Sequence, residues 1–342
     1  LVSSHRIQKP SEISKFRYIF PRFSPLEKQL IFSTGRQLFT LSYDGQVANV
    51  SVPLDVPVGT PVFHPDGNRA LLIKGYYDSD IVAVPMSEEA PVNSENGIVI
   101  ERSTMAEDNG ISQPDGELLA YKSDRSGEEQ VWITNGKESW QLSQFPMDTY
   151  IFGMDWAADG KSLLVNANDE LTEVTLDASH TAFSLEHPVE NLFQWNSNNN
   201  TALALISVNG GIKLAELNLT RSEARIINDN PVYWASKSED GQLIYLDQME
   251  RFWRSGAVED QLIDALDGYG SDKQRFLIKE HVIYGVNDEL QLWSYALNDD
   301  TFKVIRQLPN NLDYITDVNQ EQLLMTVRVA SKKEVAELVL SD

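Results

Sequence analysis

The sequence has 342 residues, of which 42% are hydrophobic and 9% aromatic, and it contains no cysteine. This composition is that of a folded globular protein, and the missing thiols exclude disulfides, thiolate metal sites and cysteine nucleophiles. With 28 Lys and Arg against 51 Asp and Glu, the formal net charge is −23. A surface this acidic repels phosphate backbones and anionic lipid, so we expect no nucleic acid or membrane partner, and no apolar stretch is long enough to span a membrane.

A turn followed by two short apolar strands recurs along the chain. The pattern is clearest over residues 110–133, where the turn at residues 113–116 (QPDG) precedes an apolar strand, a polar loop and a second apolar strand at residues 131–133. In such a turn Pro presets φ, Asp bonds its own backbone and Gly takes a positive φ. Intact or degenerate copies of this turn lie near residues 27, 66, 115, 159, 198, 240, 281 and 320.

The spacing of these turns predicts the fold. From residue 27 to residue 320 the chain makes seven steps of about 42 residues each, the length of a four-stranded propeller blade. We therefore predict an all-β protein, an eight-bladed β-propeller of four-stranded antiparallel blades that forms a single domain over residues 1–342. The last unit ends after three strands, so residues 3–8 are predicted to supply its fourth strand and close the ring.

The repeat resembles the TolB-type propeller repeat. The resemblance rests on the Phe/Trp-x-Pro-Asp-Gly turn, the apolar strand after it, residues 122–127 (KSDRSG) and residues 131–133 (VWI), and as a set it spans nearly the whole chain. TolB itself has six blades and an added N-terminal domain, so eight units without such a domain are a departure, and TolB's role in the Tol system is not carried over. The same repeat forms the propellers of prolyl-oligopeptidase and dipeptidyl-peptidase enzymes and the periplasmic half of ToxR/CadC-like regulators.

The regulator arrangement is the one that the chain resembles best, because the sequence starts at Leu1 without Met and carries no catalytic domain. This resemblance implies a periplasmic, non-enzymatic sensor domain of a membrane-anchored transcriptional regulator. A winged helix and a membrane span would precede it, and those upstream segments would form a homodimer. The expected partner is a small ligand or an envelope protein. Two alternatives stay open: a free periplasmic TolB-like scaffold protein, and the propeller of a peptidase that lacks its hydrolase domain.

No catalytic set is recognisable in the sequence. The Gly-x-Ser-x-Gly nucleophile elbow of a peptidase is missing, and the nearest string, residues 268–272 (GYGSD), has no His close by. The five histidines are scattered, and no Gly-rich phosphate loop opens a helix. The acidic groups at residues 78–80 and 124–129 match no calcium-loop spacing. We therefore expect no catalytic residue, metal site or cofactor.

Propeller geometry directs the search for a binding site to one mouth of the central channel. Loops that join the second and third strands of a blade lie on the same face as loops that join consecutive blades, and together they surround that mouth. Aromatic and charged side chains there are candidates for binding a ligand or partner. The candidates are Tyr76, Tyr77, Asp78, Asp80, Asp124, Arg125, Tyr150, Arg251, Tyr269 and Tyr314, with Glu107 and Asp108 beside them. The tryptophans that share a repeat position, Trp156, Trp195 and Trp234, are expected to pack between blades.

Overall fold

The structure is a computed structural model that describes residues 21–24, 29–33, 38–50, 57–65, 68–86, 97–147, 149–230, 232–271, 273, 275–318 and 322–339. Within these ranges the chain forms β-strands and one 3-10 turn, Asp264–Leu266. The strands assemble into eight antiparallel sheets, seven with four strands and one with three. The predicted all-β class and the predicted set of eight blade-like sheets are confirmed.

The chain divides into two compact units. One unit comprises Leu1–Tyr77 and Ala330–Asp342, and the other comprises Asp78–Val329. The boundary falls inside two strands, Tyr77–Pro85 and Gln322–Ser331. Each unit has its own sheets and its own core.

The unit Asp78–Val329 holds six four-stranded sheets. We call them blades one to six and give the strands of each blade from the channel outwards. Blade one comprises Glu107–Ser112, Leu119–Ser123, Gln130–Thr134 and Ser139–Gln141. Blade two comprises Ile151–Trp156, Ser162–Ala167, Glu170–Thr175 and His180–Ala182. Blade three comprises Val189–Asn196, Thr201–Val208, Gly211–Asn218 and Glu223–Asn228. Blade four comprises Val232–Lys237, Leu243–Asp247, Phe252–Arg254 and Gln261–Leu262. Blade five comprises Phe276–Lys279, Val282–Val286, Gln291–Ala296 and Phe302–Gln307. Blade six comprises Leu312–Val318, Gln322–Ser331, Tyr77–Pro85 and Ile98–Glu101.

The first strand of each blade, which we call its inner strand, belongs to a closed ring. Each inner strand contacts the inner strand of the next blade, and the inner strand of blade six contacts that of blade one. At this closing step the N–H of Ser112 donates to Oδ2 of Asp317 at 3.0 Å. Blade six takes two strands from each end of the unit, so no open edge remains between the first and last blades. Six of the eight blade-like sheets, those of the unit Asp78–Val329, therefore form this ring.

The strand partners within one predicted blade differ from the prediction. The repeat pattern placed Arg69–Lys74 and Tyr77–Pro85 in one blade, but Tyr77–Pro85 pairs with Gln322–Ser331 and completes blade six. That sheet has four described strands. Residues 3–8 lie outside the described residues, as do the predicted turns near 27, 66 and 320. Residues 81–84 are buried on both faces of the sheet, so their apolar pattern fits either pairing partner.

The other unit contains two sheets. The four-stranded sheet comprises Arg22–Ser24, Gln29–Ser33, Leu38–Leu41 and Val47–Val50, and the three-stranded sheet comprises Glu334–Val339, Arg69–Lys74 and Val62–Phe63 in that order. Leu38 and Val58 are buried together with Leu72, and Leu338 packs against them. This small core joins strands from the two ends of the chain.

Tryptophans pack between blades, as their repeat position predicted. The indole Nε1 of Trp156 donates to the carbonyl of Ile111 at 3.1 Å and joins blade two to blade one. The Nε1 of Trp234 donates to the carbonyl of Phe276 at 2.9 Å and joins blade four to blade five. Trp195 is also buried, within the core that blades two and three share. The prediction that these residues are packing residues is confirmed.

Gly153 marks a close approach of two inner strands, and replacing it tests the ring. Its φ is +133°, and an added Cβ would lie 2.3 Å from the carbonyl oxygen of Leu192. Gly153→Ala must therefore displace backbone of blade two or blade three. We expect it to lower the free energy of unfolding by about 2 kcal/mol or more in urea titrations.

The matched control is Gly211→Ala. Gly211 begins the third strand of blade three with no positive φ, and an added Cβ there would meet its nearest neighbour only at 3.7 Å. Its unfolding free energy is expected to change by no more than about 0.5 kcal/mol. Equal losses in the two variants would contradict the close packing of the inner strands at Gly153.

Candidate functional site

The six inner strands enclose a central channel. A cavity of about 230 Å³ is lined by residues of all six. Each blade has four antiparallel strands, and the chain passes from the outer strand of one blade to the inner strand of the next, so all inner strands run in the same direction. The channel therefore has an entry end, where the inner strands begin, and an exit end, where they finish.

At the exit end, three polar side chains at one repeat position connect consecutive blades. Oδ2 of Asp155 accepts the backbone N–H of Trp195 at 2.7 Å, which ties blade two to blade three. Oε1 of Gln194 accepts the N–H of Lys237 at 2.9 Å, which ties blade three to blade four. Asp317 makes the corresponding bond at the closing step between blades six and one. These side chains satisfy backbone donors that would otherwise be unpaired in the channel wall.

Asp155 has a strongly displaced pKa. Burial raises the pKa of Asp155 to about 7. The backbone N–H groups of Trp195 and Trp156 oppose this rise, the nearby Asp317 adds to it, and Lys279 opposes it. Because the ordinary value is 3.8, the charge at the exit end of the channel changes near neutral pH.

At the entry end, half-buried ion pairs and the hydrogen bonds of their carboxylates connect three blades. Nζ of Lys122 lies 3.3 Å from Oδ2 of Asp108 and 3.7 Å from Oε2 of Glu129. Burial acts to lower the pKa of Lys122, but Glu129 and Asp108 outweigh it, so the pKa is raised and the amine stays charged. Glu129 also accepts the N–H of Ile151 in blade two at 2.7 Å, and Thr326 of blade six donates to Asp108 at 3.3 Å.

A second cation, Arg275, lies immediately before the inner strand of blade five and lines the channel. Its guanidinium carbon is 3.8 Å from the ring centroid of Tyr314 and 4.8 Å from that of Trp234. One guanidinium nitrogen, NH1, donates to Oδ1 of Asn109 at 2.7 Å. Burial lowers the pKa of Arg275 to about 10, although nearby carboxylates oppose the shift, so the group is charged at neutral pH. The two aromatic rings fix the orientation of this cation.

The acceptor of Arg275 is itself held in an uncommon backbone conformation. Asn109 has a φ of +56°, and its N–H donates to Oγ1 of Thr326 at 3.3 Å. The pairing of its strand with the next strand of blade one shifts register at this point. Similar shifts occur in the inner strands of blades two, three, four and six. Such bulges redirect side chains, and they are concentrated here in the wall of the channel.

Among the predicted residues, Tyr314 contacts the channel wall, because its ring lies against Arg275, which lines the channel.

Arg125, by contrast, is part of an internal network. Its guanidinium lies over the rings of Trp132 and Tyr121 at 4.8 and 5.3 Å, and NH2 is 3.0 Å from Oε1 of Glu107. Glu107 is fully buried. Arg125 therefore stabilises the interior of blade one, and Asp124 is half-buried beside it.

Two further candidates are engaged within blades four and five. Arg251 turns back onto its own hairpin, where NH2 lies 2.7 Å from Oδ2 of Asp247 and the guanidinium lies over Trp253. Tyr269 packs against Phe302 with ring centroids 4.3 Å apart. Both side chains make contacts that stabilise the packing of blades four and five.

Three other candidates, Tyr150, Asp78 and Asp80, also interact with other residues of this chain. Tyr150 stacks on Phe152 with ring centroids 6.4 Å apart. Asp78 and Asp80 are buried, and Oδ2 of Asp80 lies 2.6 Å from NH2 of Arg102. Burial raises the pKa of Asp80, and the bond with Arg102 opposes the rise.

Tyr76 and Tyr77 belong to the unit that comprises Leu1–Tyr77 and Ala330–Asp342. The amine of Lys332 lies over the ring of Tyr76 at 5.1 Å, and that of Lys333 lies over the ring of Tyr77 at 3.8 Å. The predicted residues are therefore distributed over two units and several internal pairs. Sequence reasoning missed Arg275, Asn109 and the bridging residues Asp155, Gln194 and Asp317. Each bridging residue directly precedes a buried apolar residue near the end of its inner strand, and this position in the repeat was the signal that could have found it.

No family model matches the sequence, and a search of curated proteins found no match. Solved structures are similar in fold at low identity. One chain of a nidogen/laminin complex matches 67% of this chain and 94% of its own length, with a TM-score of 0.50 and 8% identity. Virginiamycin B lyase from Staphylococcus aureus matches 92% of this chain and 96% of its own length, with a TM-score of 0.39 and 8% identity. TolB from Acinetobacter baumannii matches 93% of this chain and 66% of its own length, with a TM-score of 0.38 and 10% identity. At these identities the likeness concerns the fold alone, which is a β-propeller.

The described part of the chain has no helix with the length and apolar character that crossing a membrane requires. Over the same residues, no three His, Asp or Glu side chains come together as a group that could hold a metal ion.

We predict that Asp155 makes the folded state less stable as pH rises from about 4 to about 7. Its pKa is raised in the folded protein, so between these values the folded state holds more protons than the unfolded state. The measurement is the difference between the unfolding free energies of wild type and Asp155→Asn in urea titrations. This difference should fall by up to about 1.4 kcal/mol for each pH unit and should level off above about pH 7.

The control for this series is Asp177→Asn. Asp177 is in an exposed turn, where a hydrogen bond from Thr175 holds its pKa below the ordinary value. The corresponding difference for Asp177→Asn is therefore expected to be flat above about pH 5. A flat difference for Asp155→Asn as well would contradict a raised pKa for Asp155.

Proposed function

We propose that this chain is a non-enzymatic binding protein whose recognition site is the central channel of the six-bladed unit, entered at the end where Arg275 and Tyr314 lie. The observation that carries the proposal is the charged, aromatic-flanked Arg275 in the wall of that channel. Small cavities with a few fixed polar groups are typical ligand sites. The surrounding blades make the wall rigid, which reduces the entropy cost of binding.

Several contacts support the non-enzymatic part of the proposal. Both carboxylate oxygens of Asp155 already accept backbone N–H groups, and Lys122 is held between two carboxylates. Groups committed in this way contribute to the structure of the channel wall, whereas a general base needs a free position next to the substrate. The sequence also lacks the nucleophile elbow of the hydrolases.

Binding in the channel can be tested without knowing the ligand. Asn191 lines the channel from blade three, and no other described residue is recorded as a hydrogen-bond partner of its side chain. Asn191→Met should therefore fold normally while filling part of the cavity with an apolar group. Melting temperatures would be measured with millimolar amino acids, dipeptides, sugars and nucleotides. We expect at least one probe to raise the Tm of wild type and not that of the variant.

The matched control is Asn298→Met, which makes the same change in an exposed hairpin of blade five. It should respond to the probes as wild type does. Stabilisation that persists in Asn191→Met would place the site outside the channel and contradict the proposal.

The absence of catalysis is tested separately with chromogenic peptide esters, which should not be hydrolysed above the buffer rate. Asp155 is the group to watch, because a carboxyl with a pKa near neutrality is also suited to proton transfer. Turnover that is lost in Asp155→Asn would overturn the non-enzymatic assignment.

A finer form of the proposal places the chain in the periplasm as the sensor domain of a membrane-anchored transcriptional regulator. The resemblance of residues 122–127 (KSDRSG) and the surrounding repeat to that group supports it. The full-length gene distinguishes the alternatives. An upstream winged helix and membrane span would support the regulator, a cleavable signal peptide alone would favour a free scaffold, and a downstream hydrolase domain would favour a peptidase.

A further inference from the structure

Arg275 has no salt bridge with any described residue, although two carboxylates influence its charge. Asp108 is paired with Lys122 at 3.3 Å, and Asp313 is paired with Arg328 at 2.9 Å. A guanidinium in a channel wall loses part of its hydration, and Arg275 has no direct ion pair with a described carboxylate to replace it. Costs of this kind are concentrated at sites that bind or react.

The hydrogen-bonding capacity of Arg275 is also mostly unused. A guanidinium has five N–H groups in a planar fork. Among the described residues, the bond from NH1 to Asn109 is the one hydrogen bond that Arg275 makes. The rings of Trp234 and Tyr314 lie against the guanidinium, so its plane is fixed. The remaining N–H groups lie along the edge of that plane, and Arg275 lines the cavity.

Asn109 adds a second donor beside this fork. Its Oδ1 accepts from Arg275, so its amide NH2 is left to donate to another group. No described residue is recorded as accepting from that NH2. The positive φ of Asn109 and its backbone bond to Thr326 hold the amide in place before a ligand arrives.

We propose that the entry end of the channel binds a carboxylate, held by the N–H fork of Arg275 and by the side-chain amide of Asn109. This inference rests on the proposed function and names its ligand class. Arg pairs with planar carboxylates through two parallel hydrogen bonds, which fits the open edge of the guanidinium. The carboxylate belongs either to a free amino acid or to the C-terminus of a peptide.

Size and charge narrow the ligand class further. The cavity of about 230 Å³ is smaller than the roughly 300–1,000 Å³ of sites that enclose drug-sized ligands. It can hold a carboxylate and a few further atoms. The net charge of −23 opposes the approach of multiply charged anions, so a single carboxylate is favoured over nucleotides and phosphate.

Calorimetric titration of the full chain at pH 7.5 tests the inference. The probes are N-acetyl-alanyl-alanine, the same dipeptide with a C-terminal amide, free glutamate, and inorganic phosphate. We expect the acid dipeptide or glutamate to bind, and the dipeptide amide and phosphate to bind at least tenfold more weakly. Comparing acid dipeptide with glutamate distinguishes a peptide C-terminus from a free amino acid.

Variants then test the residues. Arg275→Met should weaken carboxylate binding at least tenfold, and Arg275→Lys should fall between it and wild type, because Lys keeps the charge and loses the fork. The matched control is Arg221→Met, which removes an exposed arginine paired with Glu223 at 3.1 Å in blade three. It should bind as wild type does.

Three results would overturn the inference: equal binding of acid and amide, phosphate binding as tight as carboxylate binding, or undiminished binding by Arg275→Met. The first two need wild type alone, so they decide the matter even if an Arg275 variant does not fold. If no carboxylate binds but another probe stabilises wild type and not Asn191→Met, the carboxylate inference fails and the binding function stands. If no probe behaves in that way either, both fail.

Discussion

The hydrogen bond between Ser112 and Asp317 lies where blade one meets blade six, and the six-bladed unit depends on this junction. Without the pairing of Gln322–Ser331 with Tyr77–Pro85 in blade six, the ring would be a row of sheets with two open edges and no enclosed channel. The same device, a polar side chain that accepts a backbone N–H of the next inner strand, recurs at Asp155 and Gln194. The channel wall is thus held by bonds between neighbouring backbones and side chains, in addition to the apolar packing between blades.

The repeat pattern predicted the strands well because blade turns and apolar runs are local features. The turn near residue 115 has Asp115 at a φ of +50°, and the degenerate turn near 281 uses positive φ at Glu280 and His281, which the sequence did not suggest. Strand partnership is a non-local property. A strand such as Tyr77–Pro85, buried along most of its length, fits more than one neighbour, so turn spacing alone could not show which sheet it would complete.

The binding site was harder to predict than the fold. Of the loop residues that the sequence suggested, Tyr314 lies against Arg275, whereas charged ones such as Arg125 are paired internally. Arg275 was missed because it precedes a repeat unit whose turn is degenerate, so the unit gave no anchor for its inner strand. The role that we propose for Arg275 depends on the absence of a salt bridge with the described residues. That absence is determined by neighbours distant in sequence, so the residues next to Arg275 in the chain could not indicate it.

The pairing of Glu334–Val339 with Arg69–Lys74, and the bond from the N–H of Lys332 to the carbonyl of Tyr76 at 3.0 Å, have a consequence for how the protein is made. Asp78–Val329 is an insertion between two parts of the other unit. During synthesis, the inserted ring has all its strands before the last ones of its host unit leave the ribosome. The host unit can complete its three-stranded sheet only after Glu334–Val339 is made, so the ring is able to fold first and bring the two halves of its host together.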